Sequence, residues 1–169
     1  DNGCLISFDP NLRLSLWKTP EEARRRILYG MKQCDIMKIS EEEVAFVSEQ
    51  ESLEKGVSFI RDNSDIKILF VTLGNKGSIA YYKDEKIYCG GIHQEHVVDT
   101  TGAGDTFCGA VLSRILELGT DALTEKDIRE MLLFANAAAS IVVTRKGALC
   151  SMPEPEEIRA ASSLIDKVL

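Results

Sequence analysis

The sequence predicts an α/β protein: a mostly parallel sheet with one β-hairpin, flanked by helices. Three observations lead there. Short apolar runs alternate with segments of helical period along the 169 residues. One run, KILFVT from Lys67 to Thr72, is almost continuously apolar, as a central parallel strand covered on both faces requires. Helix-start spacings recur between the runs, at Thr19-Pro20-Glu21-Glu22 and again at Ser40-Glu41-Glu42-Glu43.

The elements follow in order. Leu5 to Phe8 reads as a buried strand that ends at Asp9-Pro10-Asn11. Thr19 opens a basic helix that runs to about Lys32, and its Arg24-Arg25-Arg26 run reads as a polar face. Ile36 to Ile39 is a short apolar strand, after which Ser40 opens a second helix. Leu53 to Arg61 is helical. After the KILFVT strand, Gly74-Asn75-Lys76-Gly77 is a turn. Ser78 to Tyr82 and Lys86 to Cys89 form a hairpin around Lys83-Asp84-Glu85. Val97-Val98 is expected to end a further strand. From Asp105 the period becomes helical, with Phe107, Val111, Ile115 and Leu118 on one stripe and Gly119 as the stop. Thr124 caps a long helix carrying Ile128, Met131, Ala135, Ala138 and Val142. Pro155 opens a last helix with Ile158, Ala161 and Ile165.

Composition narrows the chemistry. The formal net charge is -7, which argues against a general nucleic-acid or anionic-membrane surface, so any phosphate is held locally by backbone amides or a few placed cations. The five cysteines are odd in number and form no CxxC pair, so free thiols in a reducing cytoplasm are expected rather than a disulfide framework or a zinc site. His93 and His96 flank Glu95, but a fourth metal-ligating partner is not evident, and a solvated loop accounts for them. Trp17 reads as an anchor in the core or at the surface. Asp1 is not an initiator methionine and the chain enters a strand-like run almost at once, which leads us to expect the later part of a longer protein.

The stretch VVDTTGAGDTFCG, residues 97–109, carries the most chemistry. A strand, a Gly-rich turn and a helix start place successive N–H groups and the positive end of the helix dipole around one point. Gly102, Ala103 and Gly104 would form an anion hole there. It is not a Walker A loop, because no GK[ST] follows, and Phe107 stands where a dinucleotide fingerprint needs its third glycine. Asp105 is informative. An acid in a first helical turn is a favourable cap. An acid inside an anion hole, however, repels phosphate, and that suits a base which takes the proton from a hydroxyl attacking a phosphoryl group.

DTTGAGDTF resembles the C-terminal signature of the PfkB/ribokinase family of carbohydrate kinases, and the resemblance extends over essentially all of the chain. It implies a ribokinase-like three-layer α/β/α sandwich, here its C-terminal portion alone (1–169, nucleotide-binding and catalytic), with the lid and the N-terminal half absent. It implies that Asp105 is the catalytic base and contacts the sugar, and that Gly102, Ala103 and Gly104 hold the transferred phosphoryl group. VTLGNKGS resembles the family's nucleotide turn, which places Thr72, Gly74 and Gly77 along ATP; a strand followed by a glycine turn is also common on structural grounds alone. KISEEE resembles the family's Asn-x-x-Glu element, with Ser40 in place of asparagine and Glu43 as the acid. The same residues form a capping box, and both accounts stand. The last signature, FANAAASIVVTRKGALCSMP, implies Asn136 beside the adenine, though helix packing also explains its small residues.

The resemblance further implies ATP and Mg2+ as cofactors and allows K+. The cation would be held by the Asp99 carboxylate and backbone oxygens of Thr101, Val142, Arg145 and Gly147, with Ser151 nearby. The opening CLISFDPNLRLSLW resembles fructokinases and, more loosely, 2-keto-3-deoxygluconate kinases. It implies that Asn11 and Arg13 contact substrate, although a surface ion pair accounts for Arg13 equally well. The expected activity is transfer of the ATP γ-phosphoryl group to a sugar hydroxyl, giving fructose 6-phosphate from fructose. The expected partners are the sugar, ATP, the missing N-terminal half and, in the full-length protein, a second copy in a homodimer. A non-catalytic nucleotide-binding fragment is the reading from another class.

Overall fold

The computed structural model describes residues 3–147 and 149–165. It falls into two compact units, one of residues 1–73 and 81–84 and the other of residues 74–80 and 85–169. Five strands form one sheet in the order β1-β2-β3-β4-β5, numbered along the chain: β1 (Ser7–Phe8), β2 (Ile36–Ser40), β3 (Ile68–Thr72), β4 (Gly77–Tyr82) and β5 (Glu85–Gly90).

In the first unit β1, β2 and β3 are parallel, in the registers Ser7↔Ile36 and Ile36↔Ile68 through Ser40↔Thr72. Parallel pairing puts the carboxyl ends of all three strands on one edge, and the residues that follow them gather there. The crossovers are helical. Helix α1 (Pro20–Met31) is capped by Thr19, whose hydroxyl accepts from the Glu22 amide. It buries Ala23, Ile27 and Met31. Helices α2 (Glu41–Ser48) and α3 (Leu53–Asp62) pack on each other and lead from β2 to β3. The core of this unit is Met37, Ile39, Ile60, Ile68, Leu69 and Phe70, all essentially inaccessible. Its polar face is as expected at Arg24, which donates to the Val47 carbonyl and pairs with Glu49 at 3.1 Å.

In the second unit α4 (Ala103–Leu118) and α5 (Glu125–Val142) pack on each other, and α5 also packs on β5 and on α6 (Pro155–Ile165). Thr124 and Asp127 form the capping box of α5. The predicted stripe Ile128, Met131, Ala135, Ala138 and Val142 is completely buried. The stripe of α4 is buried at Phe107, Val111 and Ile115, whereas Leu118 is 42% exposed in the last turn before Gly119 ends the helix. On α6 Ile158 is buried and Ala161 half-buried; the side chain of Ile165 lies outside the described residues.

Two further expectations are corrected. The first strand is shorter than Leu5–Phe8 and not buried at its start, for Leu5 and Ile6 are exposed. Val97 and Val98 belong to no strand and are 58% and 60% exposed. The amides of Val98 and Asp99 both go to one acceptor, the Val143 carbonyl, and a ladder would need a series of acceptors.

The start of β4 leaves no room for a side chain. Gly77 has φ +106, and a Cβ there would lie 2.2 Å from the Cys89 carbonyl oxygen. Gly77→Ala is therefore expected to destabilise the protein by about 2 kcal/mol or more. Gly109 on α4 is the control, because a Cβ there would meet no atom within 4 Å. Gly109→Ala should be neutral or stabilise by up to roughly 1 kcal/mol. Urea unfolding of both variants checks the pair, and equal midpoints would contradict the assignment.

Candidate functional site

Three clusters gather the residues singled out by sequence. The first lies at the carboxyl ends of β1 and β2. Ser40 is the N-cap of α2, and its hydroxyl accepts from the Glu43 amide at 3.2 Å. Glu43 is buried and uses both carboxylate oxygens: Oε2 accepts from the Ser40 amide at 2.9 Å and Oε1 from the Leu12 amide at 2.6 Å. Ser40-x-x-Glu43 is thus a complete capping box that also grips the loop after β1. In that loop Asp9 accepts from the Asn11 amide at 3.1 Å, and Asn11 has φ +43. Asn11 and Arg13 are both exposed. Asp9 pairs with the Lys38 ammonium at 3.2 Å. Burial raises the Asp9 carboxyl above its ordinary pKa, opposed by the charge and hydrogen bond of Lys38 and reinforced by Glu43. Lys38 was not anticipated as a site residue. The available signal was a lone lysine inside the apolar run Ile36-Met37-Lys38-Ile39, because a cation in a covered parallel strand needs a counter-charge. Thr72, half-buried at the end of β3, is in register with Ser40.

The second cluster surrounds Asn136 on α5. The side chain is buried. Its Nδ2 donates to the carbonyls of Cys89 and Gly90, each at 3.2 Å, and its Oδ1 accepts from the Ser78 hydroxyl at 2.9 Å. Its amide therefore ties α5 to β4 and β5, a role the sequence did not suggest. Gly77 sits at the start of β4, and Gly74 begins the 3₁₀ turn that precedes it.

The third cluster is built on two loops, residues 97–102 and 142–151. Asp99 Oδ1 accepts from the Thr101 amide at 2.9 Å, and Oδ2 accepts from the Gly147 amide at 3.4 Å. The Val142 carbonyl accepts from the Arg145 amide, and the Gly147 carbonyl accepts from the Ser151 hydroxyl. Arg145 forks onto Glu157 of α6 with its closer contact at 2.5 Å. The Thr101 amide and hydroxyl, then the Gly147 amide and the Lys146 charge, hold the Asp99 carboxyl below its ordinary pKa. His93, Glu95 and His96 are exposed residues of the loop before Val97.

Beside this cluster α4 begins. Gly102 is its N-cap in the left-handed region, φ +83, a conformation that costs glycine little. The Ala103 amide reaches back to the Thr100 carbonyl and the Thr106 amide to the Gly102 carbonyl. The amides of Gly104 and Asp105 have no acceptor among the described residues. Asp105 stands in this first turn with an exposed carboxylate that neither a hydrogen bond nor an ion pair engages among the described residues. Two open amides, a helix N-terminus and an uncommitted carboxylate make a place that can hold an anion and accept a proton. All five cysteines are free thiols, and no helix among the described residues is long and apolar enough to cross a membrane.

Comparison with known proteins adds independent findings. The family model described as pfkB family carbohydrate kinase matches residues 1–155. Fructokinase-1 of Oryza sativa subsp. japonica is 42% identical over 158 residues, covering 92% of this chain and 48% of that protein. Among solved structures, a fructokinase double mutant from Vibrio cholerae O395 with fructose, ADP and potassium ion bound superposes with a TM-score of 0.83 at 33% identity, covering 92% of this chain and 49% of that one. A fructokinase from Xylella fastidiosa with bound ATP gives 0.86 at 25% identity, covering 97% and 53%. The chain spans about half the length of these relatives.

Two outcomes test the geometry. Asn136→Ala strands the Ser78 hydroxyl and two carbonyls, and is expected to cost about 1–3 kcal/mol in urea unfolding; an unchanged midpoint would remove its anchoring role. The Asp99 carboxyl should titrate below the ordinary aspartate value of 3.8. Because its folded value is the lower one, its contribution to stability is complete above about 3.8 and is lost as the pH falls through the folded value. A carboxyl-carbon NMR titration checks this, and a midpoint at or above the ordinary value would refute it.

Proposed function

Because this chain belongs to the pfkB family of carbohydrate kinases, we propose that it is the catalytic, nucleotide-binding part of a cytoplasmic fructokinase that transfers the γ-phosphoryl group of ATP to the C6 hydroxyl of fructose. The observation that carries the reading is the first turn of α4: an uncommitted Asp105 carboxylate on the same turn as two open amides. Asp105 takes the proton of the attacking hydroxyl. Gly102, Ala103 and Gly104 shape the turn, and its open amides hold the charge that develops on the equatorial phosphoryl oxygens. Such a base contributes on the order of 10²–10⁴-fold, with positioning and electrostatics supplying the rest.

The fructose assignment is supported by fructokinases among the relatives, one of them solved with fructose and ADP. Asn11 and Arg13 would in this reading contact the sugar, and Thr72, Gly74 and Gly77 would lie along the nucleotide. In this reading Asn136 acts on the nucleotide side indirectly, by fixing the carbonyls of Cys89 and Gly90. Magnesium, supplied with ATP, would neutralise phosphate charge. Glu43, with both oxygens already engaged, would serve it through the loop and cap it holds.

The third cluster fits a monovalent cation in kind. The donors are all oxygens, Asp99 brings a negative charge held low in pKa, and the carbonyls of Val142 and Gly147 each keep a lone pair beyond the one hydrogen bond they accept. The carbonyls of Thr101 and Arg145 complete the set, with Ser151 bracing the loop. Potassium there would supply fixed positive charge beside the turn.

Asp105→Asn in the intact enzyme is expected to retain nucleotide affinity and to lose roughly 10²–10⁴-fold in kcat. Calorimetry with Mg-ATP and steady-state kinetics on fructose and on 2-keto-3-deoxygluconate check both halves. Near-native turnover removes the base assignment. Preference for the keto-acid sugar reassigns the substrate, and nucleotide binding without phosphorylation of any sugar points to a non-catalytic module.

A further inference from the structure

The Lys38–Asp9 ion pair in the first unit, buried at its lysine and half-buried at its aspartate, has no part in the chemistry just described. Lys38 is 7% exposed in the covered strand β2, and its counter-charge Asp9 is the first residue beyond β1. A buried pair is weak as a source of stability, since apolar residues of similar volume often serve as well. What this pair does is hold a loop. Asp9 is pinned by Lys38 and in turn accepts from the Asn11 amide, and the next amide, Leu12, is taken by Glu43. Residues 9, 11 and 12 are thereby fixed to the carboxyl end of β2. The residue that follows, Arg13, is exposed, and its guanidinium has no partner among the described residues. An immobilised loop that ends in an unpaired cation has the form of an anion or sugar-oxygen clamp whose precision is set from behind.

We propose that Lys38 is a positioning residue: paired with Asp9, it holds the loop of residues 9–13 so that Asn11 and Arg13 meet the sugar in a single geometry. The role rests on the sugar-kinase reading, and two kinds of measurement keep the two ideas apart. The first is amide hydrogen exchange in the intact enzyme. Lys38→Met should raise exchange at Asn11 and Leu12 about 10-fold or more while leaving α4 and α5 unchanged. The second is kinetics. Lys38→Met should raise KM for fructose with KM for ATP unchanged, lowering kcat/KM by roughly 10- to 100-fold. In an Asn11→Ala/Arg13→Ala background the same substitution should add less than about twofold, because both residues being positioned are already gone.

Faster exchange with an unchanged sugar KM, losses that multiply independently of Asn11 and Arg13, or protected amides in Lys38→Met each overturn the proposal. If Lys38→Met leaves Asp9 as a lone buried charge and fails to fold, Asp9→Asn/Lys38→Met, which carries neither charge, decides by the same readouts. If that variant also fails to fold, the pair is a stability element and the proposal falls. A parent enzyme that phosphorylates no sugar defeats the kinase reading instead, while the exchange result still reports on the loop.

Discussion

Backbone N–H and C=O groups that leave a strand or a helix must find partners, and meeting that demand organises each part of this chain in which chemistry gathers. Glu43 takes the amide of its own helix cap and one from the loop after β1. Asn136 serves two carbonyls at the end of β5. Asp99 collects amides from two loops and the Val143 carbonyl collects two from the chain leading into Asp99. At the first turn of α4 the amides of Gly104 and Asp105 have no acceptor among the described residues, as helix ends commonly leave them. An anion there would supply these two amides with an acceptor.

The charge distribution follows the same division. The chain is acidic, at -7, so nothing on a general scale draws phosphate toward it. Local devices must do so. Gly102 takes the left-handed conformation at the start of α4, and the helix dipole adds partial positive charge. Potassium bound between the Asp99 and Gly147 loops would add more. Asp105, placed in the middle of this, is costly for binding an anion and useful for receiving a proton, and no ion pair among the described residues engages it. Lys38 shows the opposite treatment: a cation buried and neutralised by Asp9, with its influence carried through the loop it holds.

Much of the architecture was legible because it rests on short-range rules. Thr19, Ser40 and Thr124 each cap the helix their spacing announces. Ile68 to Val71 are buried as a continuous apolar run in a parallel strand should be. The misreadings share one cause. Val97-Val98 has strand propensity but finds a single carbonyl in place of a ladder, and Leu118 continues a stripe past the point where the helix meets a core. Propensity and period describe a segment; a partner surface decides whether they are used. The candidate site divides likewise. The Gly-rich turn and its acid are contiguous and could be read directly. The pairing of Lys38 with Asp9, and of Asn136 with Ser78, spans 29 and 58 residues and carries no local signature.

By itself, then, the sequence determined the alternation of strands and helices, the caps, and the motif at residues 99–107 from which the family follows, since each depends on neighbours a few positions apart. Only the tertiary structure decided that Asn136 spends its amide on strand carbonyls and that Glu43 bridges a helix cap to a distant loop. A hydrogen-bonding group has no fixed role until folding has set which donors and acceptors lie within about 3 Å of it, and that competition among distant groups is not written in any one stretch of chain.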